Sequence, residues 1–407
     1  MTTALLAAVL LGQQGANLSA MPMIDTPVRL AITPVLDGKL EPEEWDQLAG
    51  QTYFQWEPEI LYWAAKAAEN EEVVLSLDYN ADGWLVGDDN LEVRIRMEGG
   101  EARVRVRFLD ATDPAGPQWR DGGVPPEAIK LAASPAEGGG WILESSYTPP
   151  YQSGPVEGRK VGVRVDKVAA GLDLGEPYLP RGLAFVSLQM DSSNGLLPEM
   201  SWKPVINNRS IAREDRLKFR FEVSRDSESL NLTRYEFRGE GLARDVVASG
   251  NQPFPPFSRN RASLNIDSVI SKTAVPGWRV IRAEIAGPNG EPVLLRTSVR
   301  IADLIDFEIP LREPLRASTD MQVIKTSITL RSQFTGRMEG MFSVEVPSDW
   351  SVTKNKEAKF SIFHSRGTTK IPVEIVVPRN IVGVFPITFK AKVGEEEMFK
   401  TIYLPID

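Results

Sequence analysis

The chain has 407 residues, 42% hydrophobic and 25% charged, with a net charge of −9 at pH 7. That length accommodates two to four domains. The acidic balance argues against a nucleic-acid partner, because there is no basic excess to displace phosphate counterions. With no cysteine, disulfides, thiolate catalysis and Cys-ligated metals are excluded, and with His364 as the sole histidine so are multi-histidine metal sites. Paired carboxylates survive this inventory, but no pair stands out and no α/β section could build a barrel, so the sequence reads as non-enzymatic.

Residues 1–20, MTTALLAAVLLGQQGANLSA, carry a short apolar core followed by small and polar residues, the pattern of a cleaved signal peptide. The expected location is secreted, periplasmic or cell-surface. No later run is long and apolar enough for a transmembrane helix. From Val28 a strand leads to the turn Asp37-Gly38-Lys39, then a single helical turn over Leu40–Trp45, with Trp45 as a core plug.

Next come Ile60–Ala67 and the stretch Val73–Phe108, the clearest element of the chain. Leu91, Val93, Ile95 and Met97 alternate with Glu92, Arg94 and Arg96; after Glu98-Gly99-Gly100-Glu101, Val104, Val106 and Phe108 alternate with Arg103, Arg105 and Arg107. Period-two alternation around a Gly-Gly turn predicts an antiparallel hairpin with one buried face. The arginine row then lies on the outer face. It could offer planar forks to an acidic polymer, Arg94 and Arg105 foremost, or be a solvated face balanced by Glu92, Glu98 and Glu101.

Ahead of the hairpin, Asp78-x-Asn80-x-Asp82-Gly83 matches the opening of a calcium loop, with Trp84 offering a backbone carbonyl and Asp89 closing the set. The competing reading is a tight Asx turn. Among the tryptophans, Trp63, Trp141, Trp202, Trp278 and Trp350 sit in or beside strand patterns and read as core. Trp56 and Trp119 lie beside proline and read as loop platforms, and Trp84 is the aromatic that a metal loop would position. Asp110–Gly140 is rich in Pro, Gly and Ala and reads as a long irregular excursion, followed by the strands Gly140–Tyr147, Val161–Val165, Leu183–Met190 and Leu217–Phe221.

The ordered set DGKLEPEEW, ILYWAAKA, DDNLEVRI, GGWILESSY, KVGVRV and MSWKP, between Val28 and Phe221, resembles carbohydrate-binding module family 9 and its DOMON-like relatives. The resemblance implies a β-sandwich, structural calcium and a sugar clamped between two tryptophans. Trp84 takes the first place. At the second this chain has NNRSIARED, with Ser210 and Ile211. After residue 222 the texture changes to short strands with Gly/Pro/Asn punctuation, including a turn at Gly287–Gly290, which predicts an immunoglobulin-like sandwich. From Ile305 a third unit resembles the sandwich modules appended to bacterial glycosidases, with Trp350 in its core.

The expectation is an all-β chain: residues 1–20 a leader, 21–222 a family-9-like sandwich, then immunoglobulin-like domains at 223–304 and 305–407. Its expected job is binding carbohydrate or another extracellular polymer, with calcium shaping the loop. The alternative is a structural or adhesion protein, with a partner in the cell envelope and a vestigial sugar site.

Overall fold

The computed structural model describes residues 28–42, 44–82, 90–110, 112, 114–115, 118–149, 154–170, 183–226, 232–240, 250–287, 291–311, 313–334, 336–364 and 366–407. The leader therefore lies outside the described residues. Among those residues the fold is all-β, with a single 3-10 turn at Pro126–Ala128 and no α-helix. No helix among them is long and apolar enough to cross a membrane.

The hairpin forms as its alternation predicts. Asn90–Glu98 runs antiparallel to Glu101–Asp110, with Glu98 facing Glu101 across the turn. Gly99 and Gly100 sit at φ 59° and 89°, the two left-handed positions of a type I′ turn, whose twist matches that of the strands it joins. Val93 and Ile95 are fully buried in the inter-sheet core.

This hairpin belongs to a seven-stranded sheet, ordered Val28–Leu30, Ala184–Gln189, Lys160–Ala169, Glu71–Asp78, Asn90–Glu98, Glu101–Asp110, Gln118–Asp121. Facing it are five strands ordered Gln47–Ala49, Thr52–Glu57, Ile60–Ala67, Trp141–Tyr147, Ile129–Pro135. The region expected to be a long excursion is thus largely ordered: Gln118–Asp121 and Ile129–Pro135 each add an edge strand. Proline and glycine fall at the ends of these strands, where they cost no ladder bonds. The Trp45 amide donates to the Glu41 carbonyl at 3.3 Å, the bond a single turn ending there calls for, and Trp45 is buried.

The next sandwich begins at Asp191, not after residue 222. Asp191–Asn194 pairs with Pro292–Ile301, and Arg216–Arg225 pairs with Arg261–Val269. Leu217, Phe219 and Phe221 supply the reason, because they pack into one core with Leu264, Ile266 and Ile281. The final eight strands form two four-stranded sheets. Trp350 is buried there against Phe385, with ring centroids 5.3 Å apart.

The sandwiches do not hang as separate beads. Tyr403, on the last strand Glu396–Ile406, is buried in the core of the first sandwich, and Trp278 and Val384 pack against that same core. Leu30, Ile32 and Val280 form a smaller apolar seal between the first two sandwiches.

Candidate functional site

Among the described residues, those singled out from sequence do not gather into one site. Trp56 is no loop platform: it lies in Thr52–Glu57, fully buried, and its Nε1–H donates to the Arg29 carbonyl at 2.8 Å. Both faces of that strand are covered, so the alternation that would have marked it as core is missing. Trp119 sits on the edge strand Gln118–Asp121, half-buried, with the Arg107 guanidinium 4.5 Å from its ring centroid. With one ring face against that cation and the residue half-buried on its strand, Trp119 offers far less open ring than a loop platform would.

Arg94 is also misplaced by alternation alone. It is 3% exposed and bridges Glu72 and Glu92, each at 2.8 Å, while Arg107 reaches Glu92 from the facing strand. Glu72, Ser76 and Glu92 are buried with it, so the middle of the outer sheet face is a covered, charge-paired layer. Arg105 does project outward, held to Asp121 by bonds of 2.6 and 3.3 Å.

Of the metal loop, Asp78, Asn80 and Asp82 are described; Trp84 and Asp89 lie outside the described residues. The Asp78 carboxylate is fully buried, close to Gly162, and accepts the Asp82 amide at 3.3 Å. Ala81 takes a left-handed φ of 55°, as a tight turn requires. This described half is a tight turn, closed by the Ala81 amide donating to the Asp78 carbonyl at 3.3 Å, and among the described residues no three acidic or histidine side chains converge as a metal set.

A different place brings chemistry together: a cleft of about 800 Å³ where all three sandwiches meet. Thr33 is its pivot. The Thr33 amide donates to the Trp278 carbonyl at 3.1 Å, and the Trp278 amide donates to Thr33 Oγ1 at 2.7 Å. The Thr33 hydroxyl in turn donates to Glu57 Oε2, while Tyr62 donates to Glu57 Oε1 at 2.6 Å. Gly277 makes this approach feasible, since a Cβ there would sit 2.8 Å from Thr33 Cβ, and its φ of 124° suits only glycine. Arg279 is buried, 1% exposed, and donates to the carbonyls of Thr33, Trp278, Val275 and Pro276. Burial lowers its pKa to about 10, against the opposing pull of Glu44, Glu57 and Tyr62.

The electrostatics of the cleft follow from that burial. Desolvation raises the Glu57 pKa despite its two hydroxyl donors, and raises that of Tyr62 far above its ordinary value. Desolvation likewise lowers Lys130 and raises Asp303. On the opposite wall Arg300 binds Asp306 at 2.7 Å, and Gln333 donates to the other Asp306 oxygen at 2.9 Å. Lys400 pairs with Glu59, which holds a left-handed φ of 79° at the Pro58-Glu59 turn. Phe399 stands 57% exposed on this wall, with Lys130 Nζ 4.9 Å from its ring centroid. The arrangement sets one exposed aromatic ring among charged groups of both signs.

Sequence reasoning missed nearly all of these residues because they lie up to several hundred positions apart. One signal was present. Met398 and Phe399 are consecutive apolar residues in an alternating strand, so one of them had to face outward. Ser210, where the family-9 resemblance would want a second tryptophan, lines this same cleft.

No family model matches the chain, and no curated protein matches it. Solved structures do resemble it, among them a red sea bream transglutaminase (7% identity, TM-score 0.34, 83% of this chain and 57% of that one). Another is Escherichia coli alpha-2-macroglobulin activated by porcine elastase (7% identity, TM-score 0.27, 89% and 44%). A third is the calcium binding domain CBD12 of CALX1.1 (11% identity, TM-score 0.23, 50% and 100%). The chain spans about half the length of the first two. No residue role passes from any of them.

Proposed function

We propose that the chain is an exported, non-catalytic binding protein that takes carbohydrate, or an extracellular polymer of similar polarity, into the cleft between its sandwiches. The observation that carries this reading is Phe399. A large ring left more than half exposed on a cleft wall costs hydration free energy that a stacked sugar face would recover. Around it, Lys130, Gln333 and Arg331 supply the hydrogen bonds that sugars demand. In the family-9-like part of the proposal, the sugar site has moved from the Trp84 loop toward the junction, and calcium bound through Asp78, Asn80 and Asp82 shapes that loop.

The test is a glycan array followed by titration with the best hit. Phe399→Ala should weaken binding about tenfold or more, the loss of one stacking contact of roughly 1.5 kcal/mol. Undiminished binding by the variant ends the cleft reading. The second reading, an envelope scaffold with a vestigial sugar site, is favoured by Ser210 standing where a clamping tryptophan would be. It predicts an array with no hits at all.

A further inference from the structure

A second hollow opens beside the cleft, in the seam between the first sandwich and the third, and its character is the opposite one. It measures about 240 Å³. The first sandwich lines it with Pro58, Pro149 and Val156, and the third with Leu311, Ile402 and Tyr403. Among its described lining residues only Glu59 and Lys400 are charged, and they are paired with each other.

Local sequence explains why so little polarity reaches this seam. Proline has no N–H to offer, and Pro155 joins Pro58 and Pro149 on the same wall. The Glu59 amide is spent on the Pro155 carbonyl at 3.2 Å. Gly154 lets those two segments touch, since a Cβ there would sit 3.0 Å from Glu59 Cα. On the opposite wall the Thr401 hydroxyl is bonded to that of Thr388 at 2.8 Å. Val156 is left 49% exposed, and Leu311 and Ile402 are half-buried. Apolar surface kept in water is unfavourable, and a ligand that covers it recovers that free energy.

The two hollows are continuous. Pro58, Glu59, Thr148, Lys400, Thr401 and Tyr403 line both, so the Glu59–Lys400 pair marks the border between a polar end and an apolar one. A ligand that fills both must itself change character along its length. We infer that this ligand is a glycoside carrying an alkyl chain, its sugar in the cleft and its chain in the seam. The sugar end rests on the function proposed for the cleft; the alkyl end rests on the seam alone. Size agrees, because a dry apolar cavity of about 150 Å³ holds benzene and the seam is larger.

The experiment titrates the full chain with methyl glucoside and with hexyl glucoside, the latter below its micelle concentration. Each methylene moved fully out of water is worth about fourfold in affinity. The hexyl chain should therefore tighten binding at least about tenfold, even with only half its length covered. Val156→Asp sets a charge in the seam and should cancel that gain with an unchanged melting temperature. Val382→Asp, which alters an exposed valine that does not line the seam, should keep the gain whole. Equal affinity for the two glucosides, including no binding of either, overturns the inference, and so does an equal gain in Val156→Asp. Phe399 lines only the cleft, so Phe399→Ala should weaken both glucosides alike and preserve their ratio. If that variant binds both undiminished with the ratio intact, the cleft reading ends and the seam stands.

Discussion

Replacing Gly277 by alanine tests how tightly the first two sandwiches are joined. The new Cβ would meet Thr33 Cβ at 2.8 Å, Thr33 Oγ1 at 2.9 Å and Arg279 Nη1 at 3.1 Å. Two costs add. Holding a non-glycine residue at φ 124° costs about 1–3 kcal/mol, and displacing a packed neighbour costs about 1–3 kcal/mol more. Moving Thr33 also disturbs its bonds to Trp278 and Glu57, each worth about 1 kcal/mol. A total of about 3–5 kcal/mol is expected, which lowers the melting temperature by roughly 10 °C for a unit of this size. Gly336 provides the control, because its φ is 120° and an added Cβ would meet nothing within 4 Å. Gly336→Ala pays for backbone strain alone. Thermal melts followed by tryptophan fluorescence should place Gly277→Ala clearly below Gly336→Ala. Equal shifts for the two would show that the Thr33 approach is not tight, and the account of the junction would fall.

Glu144 gives a pH dependence of defined sign. It accepts the amides of Asp37 and Gly38 and the indole N–H of Trp45, yet burial still raises its pKa to about 7. A carboxyl raised on folding stabilises most below its unfolded pKa, and that stability is lost as pH rises through about 7. Denaturant midpoints should therefore fall between pH 5 and pH 8, with about 3 kcal/mol as the ceiling for this residue; Glu144→Gln should flatten the slope. At the strained Pro58-Glu59 turn, Glu59→Gly should be more stable than Glu59→Ala by about 1–2 kcal/mol, because both lose the Lys400 pair and only glycine relieves the left-handed backbone. Calcium at millimolar concentration should raise the melting temperature relative to EDTA, and Asp82→Ala should abolish the difference; identical melts with and without EDTA would remove the metal from the proposal.

How far the sequence could be read depended on whether a signal was local. The hairpin was legible down to its turn, since Gly99-Gly100 between two alternating runs leaves one register open. Trp350 was legible as core for the same reason. Arg94 was not, because alternation says which side a residue faces and nothing about what covers that side; here Glu72 and Glu92 neutralise it under a closed layer. Trp56 failed in the opposite way. Its strand is covered on both faces, so no polar alternation distinguished it from a loop beside Pro58. The boundary near residue 190 was hidden because Phe219 and Phe221 look like any alternating strand, whichever core receives them. The cleft was out of reach, since Thr33, Glu57, Trp278 and Phe399 become neighbours only once three sandwiches have packed.

The seat that Tyr403 occupies among the strands of the first sandwich sets an order on biosynthesis. Strands such as Glu71–Asp78 can pair with their neighbours as soon as they are made, yet the aromatic that closes their apolar layer arrives more than three hundred residues later. Until then the nascent first sandwich carries an open greasy socket, the kind of surface on which chaperones act. The first sandwich therefore cannot complete its core by itself: it waits on a residue of the third.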